Sequence, residues 1–184
     1  VMSGATLQGI SGLVAVNSLM AMVGGVLVAL MISKNDPGFI HNGALAGLVA
    51  ICAGSDKVHP LGALIIGGVA GAIFVKGFYW EQEKLKIDDV LGVWPLHGIS
   101  GTWGGIACGI FGQEALGGLG GVSVIGQIIG SVAAIVVAVV FGFAVYKTLD
   151  AYVGLRLEPE EEIRGSDLSV HSLESNPEEA SSRF

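Results

Sequence analysis

The stretch GVSVIGQIIGSVAAIVVAVVFGFAVYKTLDAY, Gly121 to Tyr152, decides the fold class. A helix crosses the hydrocarbon core of a bilayer with about 20 apolar residues at about 1.5 Å each, and this segment exceeds that length. Toward the amino terminus lie four more apolar segments: Asp89–Phe111, Pro60–Trp80, His41–Ser55 and Leu7–Ser33. The His41–Ser55 segment is short alone and takes Pro37–Ile40 as its first turn, where proline's missing N–H costs nothing. Helices are therefore expected at about 7–33, 37–55, 60–80, 89–111 and 121–152. The reading is all-α: a polytopic membrane helix bundle over residues 1–152 and a polar tail over 153–184.

Composition agrees. Of 184 residues, 52% are hydrophobic and only 14% charged, against roughly 25% charged in a soluble domain, and the mean hydropathy is +0.70. The net charge of −7 belongs mostly to the tail, where Glu158, Glu160, Glu161, Glu162, Asp167, Glu174, Glu178 and Glu179 face Arg164 and Arg183. With no basic patch to hold phosphates, nucleic acid is excluded as a partner. Val1 has no basic stretch before the first apolar segment, so no signal peptide is expected. The chain reads as part of something longer.

Thirty glycines and the basic residues give packing and topology. The GxxxG pairs Gly43/Gly47, Gly67/Gly71, Gly101/Gly105, Gly105/Gly109 and Gly126/Gly130 predict helices packed backbone to backbone. Lys34, Lys76, Lys84, Lys86, Lys147, Arg156, Arg164 and Arg183 fall on one side of the membrane and Lys57 on the other. The excess of Lys and Arg on cytoplasmic loops puts the tail in the cytoplasm of a multi-pass cell-membrane protein.

Polar side chains inside spans are costly, so each is a functional candidate. His97 is the clearest, expected two turns into a helix opened by Asp89 as N-cap. Pro95 is expected to kink that helix mid-span and free a carbonyl beside the imidazole. His41 and His59 sit at span ends, where interfacial histidines are ordinary, and His171 lies in the tail. Cys52 and Cys108 lack any metal or redox spacing and read as small packing residues. No Ser/His/Asp order, GxSxG, Walker loop or HExxH occurs, so no enzyme and no cofactor is expected.

Four stretches carry a family resemblance: His41-Asn-Gly-Ala-Leu-Ala-Gly-Leu-Val-Ala-Ile-Cys, Gly62-Ala-Leu-Ile-Ile-Gly-Gly-Val-Ala-Gly, Asp89 through His97-Gly-Ile-Ser-Gly-Thr-Trp-Gly-Gly, and Val153-Gly-Leu-Arg-Leu-Glu-Pro-Glu-Glu-Glu. In that order they resemble the carboxy-terminal half of an ammonium transporter of the Amt/Mep/Rh family. The resemblance implies a homotrimer of eleven-helix subunits, each built from two inverted five-helix repeats around a narrow pore, with this chain supplying helices seven to eleven. His97 matches the second histidine of the family's pore pair, Asp89 an acidic position at the start of that helix, and Leu45 and Val93 apolar pore-wall positions. Gly154, Arg156, Gly165 and Asp167 resemble a cytosolic tail that touches the neighbouring subunit and couples to PII-type regulatory proteins.

Departures from the family pattern are expected to matter. The first pore histidine and the outer aromatic recruitment site belong to the absent amino-terminal half, and Val1 and Met2 stand where gate aromatics would fall. The acidic residue after Gly165-Ser-Asp is displaced to Glu174. Trp94-Pro95 is bulkier than the family norm and is expected to reshape the pore beside His97. The function implied is passage of ammonia through a hydrophobic pore after ammonium loses its proton. The alternative is an ammonium-sensing or structural membrane subunit that does not itself conduct.

Overall fold

In lipid, apolar side chains gain nothing by leaving one helix surface for another, so helices associate where their backbones can approach closely. The computed structural model, which describes residues 4–165, shows this around its first helix, α1 (Gly4–Ile32). α1 packs most extensively on α3 (Pro60–Trp80) and then on α2 (Pro37–Ile51). Its Ala21 and Gly25 carbonyls lie against glycines of both neighbours. A Cβ added at Gly43 would meet Gly25 O at 2.7 Å, and one at Gly71 would meet the same oxygen at 2.6 Å. A Cβ at Gly47 or at Gly67 would run into Ala21 O. Two of the expected GxxxG pairs thus clamp one strip of α1 from two sides.

The other pairs do less. Gly105 and Gly109 lie against Ser131 and Val124 at the start of α5 (Val124–Tyr152), whereas a Cβ at Gly101 would meet only Val49, at an ordinary 3.7 Å, and one at Gly130 would meet nothing within 4 Å. No residue of α5 is buried.

Local chemistry sets the helix ends. Asp36 caps α2, its Oδ1 accepting from the N–H groups of Gly38 (2.9 Å) and Phe39 (3.4 Å), with Pro37 next in the first turn. His59 caps α3 by accepting from Leu61 N–H at 3.2 Å, which gives this histidine a structural task. α2 ends at Ile51 rather than near Ser55, because the chain tightens into turns: Cys52 N–H reaches Val49 O and Gly54 N–H reaches Ile51 O. Asn17, fully buried in α1, donates both amide hydrogens to these turns, to Ser55 O and Val58 O at 2.8 Å each.

The fourth segment departs most from expectation. α3 passes directly into a π turn, Glu81–Leu85, and residues 86–92 are not helical. The chain resumes in a second π turn, Trp94–Ile99, continuous with α4 (Ser100–Phe111). Gly92 explains the late start: its φ of +66° is left-handed, and a Cβ there would strike Phe78 at 2.5 Å. Asp89 therefore does not open the helix, and His97 lies in its first turn rather than two turns inside. Pro95 likewise sits at the start, where it breaks no helical bond, instead of kinking mid-span.

After a short 3₁₀ turn, Glu114–Leu116, comes α5, and a last short helix, α6 (Pro159–Arg164), follows it. Among the described residues there is no strand. The chain divides into two compact units, Val1–Ile135 and Val136–Phe184. Among the described residues three helices are long and apolar enough to cross a membrane, Gly9–Ile32, Pro60–Leu85 and Val124–Tyr152, and Pro37–Ile51 is a shorter apolar helix.

Replacing Gly47 by Ala should destabilise the bundle by about 1–3 kcal/mol, because its Cβ collides with backbone that cannot move aside. Gly101→Ala should be close to neutral. Thermal unfolding in detergent, followed by helical circular dichroism, separates the two.

Candidate pore face

The π turn Trp94–Ile99 is where the candidate residues meet the rest of the fold. Pro95 is buried and anchors the turn against α3, where a Cβ on Gly77 would meet it at 2.7 Å. Ser100, also buried, donates its hydroxyl to Pro95 O at 2.9 Å and so closes the turn on itself. Farther along, Trp103 of α4 donates its indole N–H to Ile66 O of α3 at 3.1 Å. These contacts fix the backbone under His97 while leaving its imidazole uncovered.

The other candidates share that exposure. Leu45 is 39%, Val93 49% and Trp94 42% exposed, although each stands next to buried residues of its own segment. α2, which carries Leu45, packs against the π turn that carries His97. The Trp94 ring is drawn onto Trp80, with ring centres 5.8 Å apart, and lies over Gly98, whose missing side chain makes room for it.

Asp89 serves the site from upstream. Its Oδ2 accepts from Trp94 N–H at 2.8 Å, while its own carbonyl accepts from the Gln82 amide at 2.9 Å. Burial works to raise its pKa, but the N–H groups of Trp94, Val93, Gly92 and Leu91 outweigh it and hold the carboxyl below its ordinary value. Asp89 is thus the anion that ties the start of the His97 turn to the preceding loop.

Sequence reasoning missed Asn17 and Glu81. Asn17 is a polar residue in an otherwise apolar helix, the signal that singled out His97, whereas Glu81 opens the polar π turn Glu81–Leu85 and carries no such signal. Glu81 is 3% exposed. No group of three or more potential metal ligands occurs among the described residues.

The tail candidates lie in the second unit. Gly154 and Gly165 have positive φ, +79° and +102°. Arg156 lines a cavity of about 220 Å³ with Phe143, Tyr146, Lys147, Asp150 and Leu155. Glu158 and Glu161 form a capping box at the start of α6. Asp167, like His171 and Glu174, lies outside the described residues.

A family model described as "Ammonium Transporter Family" matches residues 2–176. The chain belongs to the ammonium transporter family. It is similar to ammonium transporter Amt2 of Methanocaldococcus jannaschii, 47% identical over 178 residues, covering 96% of this chain and 42% of that protein. Ammonium transporter Amt1 of the same organism is 41% identical over 157 residues, covering 85% of this chain and 40% of that one. A solved structure described as "Sensor Amt Protein" matches with a TM-score of 0.73 and 30% identity, over 86% of this chain and 42% of that one. The chain spans about two fifths of the length of these relatives. With the apolar helices, membership makes this a multi-pass membrane protein of the ammonium transporter family.

Within the family member, Asp89→Ala should free the Trp94 amide and cost about 0.5–2 kcal/mol, as loss of a helix cap does. Because the folded pKa of Asp89 lies below its unfolded value, this contribution is full at neutral pH and disappears as pH falls through that lowered value. Hydrogen exchange of the Trp94 amide should accelerate in the variant.

Proposed function

We propose that this chain forms one wall of a conduit that passes ammonium's nitrogen across the cell membrane as neutral ammonia. The observation that carries the reading is His97, an imidazole left uncovered on a broken helix and accompanied by the exposed apolar side chains Leu45 and Val93. Family membership supplies the substrate: the similar proteins named above are ammonium transporters.

Energetics favour deprotonation. Moving a bare ion into a dry apolar passage costs tens of kcal/mol on a Born estimate. Giving up a proton at neutral pH costs roughly 3 kcal/mol, from about two pKa units at about 1.36 kcal/mol each. Neutral ammonia then passes Leu45 and Val93, while the His97 imidazole, with one donor and one acceptor nitrogen, offers it hydrogen bonds. Trp94, withdrawn toward Trp80, narrows the approach to His97. The opposite wall, with the partner histidine, comes from the amino-terminal half of the transporter.

Eight of nine basic residues on one side put the tail, 153–184, in the cytoplasm and residues 1–152 in the bilayer. There Gly154, Arg156, Gly165 and Asp167 serve a neighbouring subunit of a homotrimer and a PII-type regulator, as the family resemblance implies. The activity is transport, not enzymatic turnover.

The test is methylammonium uptake and current by vesicles holding the complete transporter. His97→Ala should leave assembly intact and cut uptake about ten-fold, the worth of one hydrogen bond, or alter the charge carried. A sensor would bind methylammonium without uptake in either form, and a purely structural subunit would leave uptake unchanged by pore substitutions. Unaltered uptake and current in His97→Ala would rule out the histidine's role.

A further inference from the structure

The last turns of α5 carry a second set of side chains, which the conduit does not use. Phe143, Tyr146, Lys147 and Asp150 fall at i, i+3, i+4 and i+7 and so share one helix face. The helix stops just beyond them: Val153 N–H donates to Leu149 O at 2.8 Å, and Gly154 N–H donates to Leu149 O at 3.3 Å and Asp150 O at 3.2 Å. With a φ of +79°, Gly154 turns the chain left-handed, and Leu155 and Arg156 come back to that face. The six side chains line one cavity of about 220 Å³, with two cations, Lys147 and Arg156, and one anion, Asp150. Both cations are exposed, so their charge is open to a ligand.

We propose that this cavity binds the phosphodiester headgroup of an anionic phospholipid. Depth is the first reason. No Asp, Glu, Lys or Arg occurs between Glu114 and Lys147, so Lys147 marks the place where the span leaves hydrocarbon. α5 has 29 residues and is about 43 Å long, against a hydrocarbon core of about 30 Å. Its last turns therefore reach the headgroup layer, which the amphipathic ring of Tyr146 favours.

Charge is the second reason. Lys147 and Arg156 against Asp150 leave the cavity a net +1, which the single charge of a phosphodiester neutralises. The Arg156 guanidinium presents a fork of donors that fits two phosphate oxygens, and the Lys147 ammonium adds a point charge. Asp150 opposes a second negative charge and accepts from a headgroup hydroxyl, which selects phosphatidylglycerol over a free phosphate dianion. Phe143 and Leu155 give the lipid's glycerol and first methylenes an apolar border. The cytoplasmic place of this end rests on the orientation proposed above, and the anionic lipids of that leaflet suit the site.

Native mass spectrometry of the complete transporter in detergent tests this, with phosphatidylglycerol, phosphatidylcholine or inorganic phosphate added. It measures neither transport nor topology, so its failure leaves the conduit reading untouched. Phosphatidylglycerol should bind more tightly than phosphatidylcholine. Lys147→Gln and Arg156→Gln should each weaken it about five-fold, the worth of one basic residue at an anionic surface. Lys86→Gln, outside the cavity, should leave it unchanged. Where Arg156→Gln does not assemble, Lys147→Gln carries the test. The proposal is overturned if phosphatidylglycerol binds no tighter than phosphatidylcholine, or if inorganic phosphate at equal concentration displaces it. Unchanged lipid affinity in Lys147→Gln also overturns it, and together with lost assembly in Arg156→Gln assigns the cavity to a neighbouring subunit.

Discussion

Everything in the first unit depends on how closely α1 can approach its neighbours. A soluble bundle is held by removing apolar surface from water, but between bilayer helices that term vanishes and short-range packing replaces it. Ala21 and Gly25 offer backbone carbonyls to Gly47 and Gly67 on one level and to Gly43 and Gly71 on the next. The contact is geometric before it is energetic: with any side chain at these glycines the axes separate, and the dispersion contacts of the whole seam weaken together. Because α2 and α3 are both set by the same strip of α1, their relative position follows from it. The π turn with His97 inherits its place from α3 through Pro95 on Gly77 and the Trp103–Ile66 bond.

That inheritance explains why the fourth segment can be broken. Side chains hold the break between Lys86 and Gly92: Asp89 accepts from the Trp94 N–H, and the Gln82 amide donates to the Asp89 carbonyl. Gly92 lets the chain turn in under Phe74 and Phe78. The break brings His97 into the first turn of a helix whose early N–H groups are occupied from upstream, so the imidazole lies beside a rigid end rather than in mid-helix.

Much of this was legible in the residues. The positions of the apolar segments and the Gly43/Gly47 and Gly67/Gly71 seams follow from composition and spacing, because bilayer thickness and backbone contact impose them directly. The start of the fourth helix was not legible. Asp89 followed by apolar residues has the form of an N-cap, and only the contact of Gly92 with Phe78 across the fold forbids helix there. For the same reason Pro95 was read as a kink although it stands where proline is harmless. Gly101/Gly105 and Gly126/Gly130 show the limit of a motif: the spacing recurs, but Gly101 and Gly130 face no backbone. Of the candidate site, His97 stands out in the sequence by its polarity alone, whereas the support beneath it, Ser100 on Pro95 and Trp94 on Trp80, depends on tertiary contacts.

Polar groups in the spans can be sorted by what satisfies them. His59 spends a ring nitrogen on a helix cap, Trp103 its N–H on Ile66, Ser100 its hydroxyl on Pro95, and Asn17 both amide hydrogens on the turns after α2. Each is a fastening, and its chemistry is used up. The acceptor atoms left over on Asn17 and Ser33 are neutral, so leaving them unpaired is tolerable. The uncovered His97 and the buried Glu81 stand outside this sorting. Asp89 stands between them in the chain, bonded to the Trp94 amide at the start of the His97 turn.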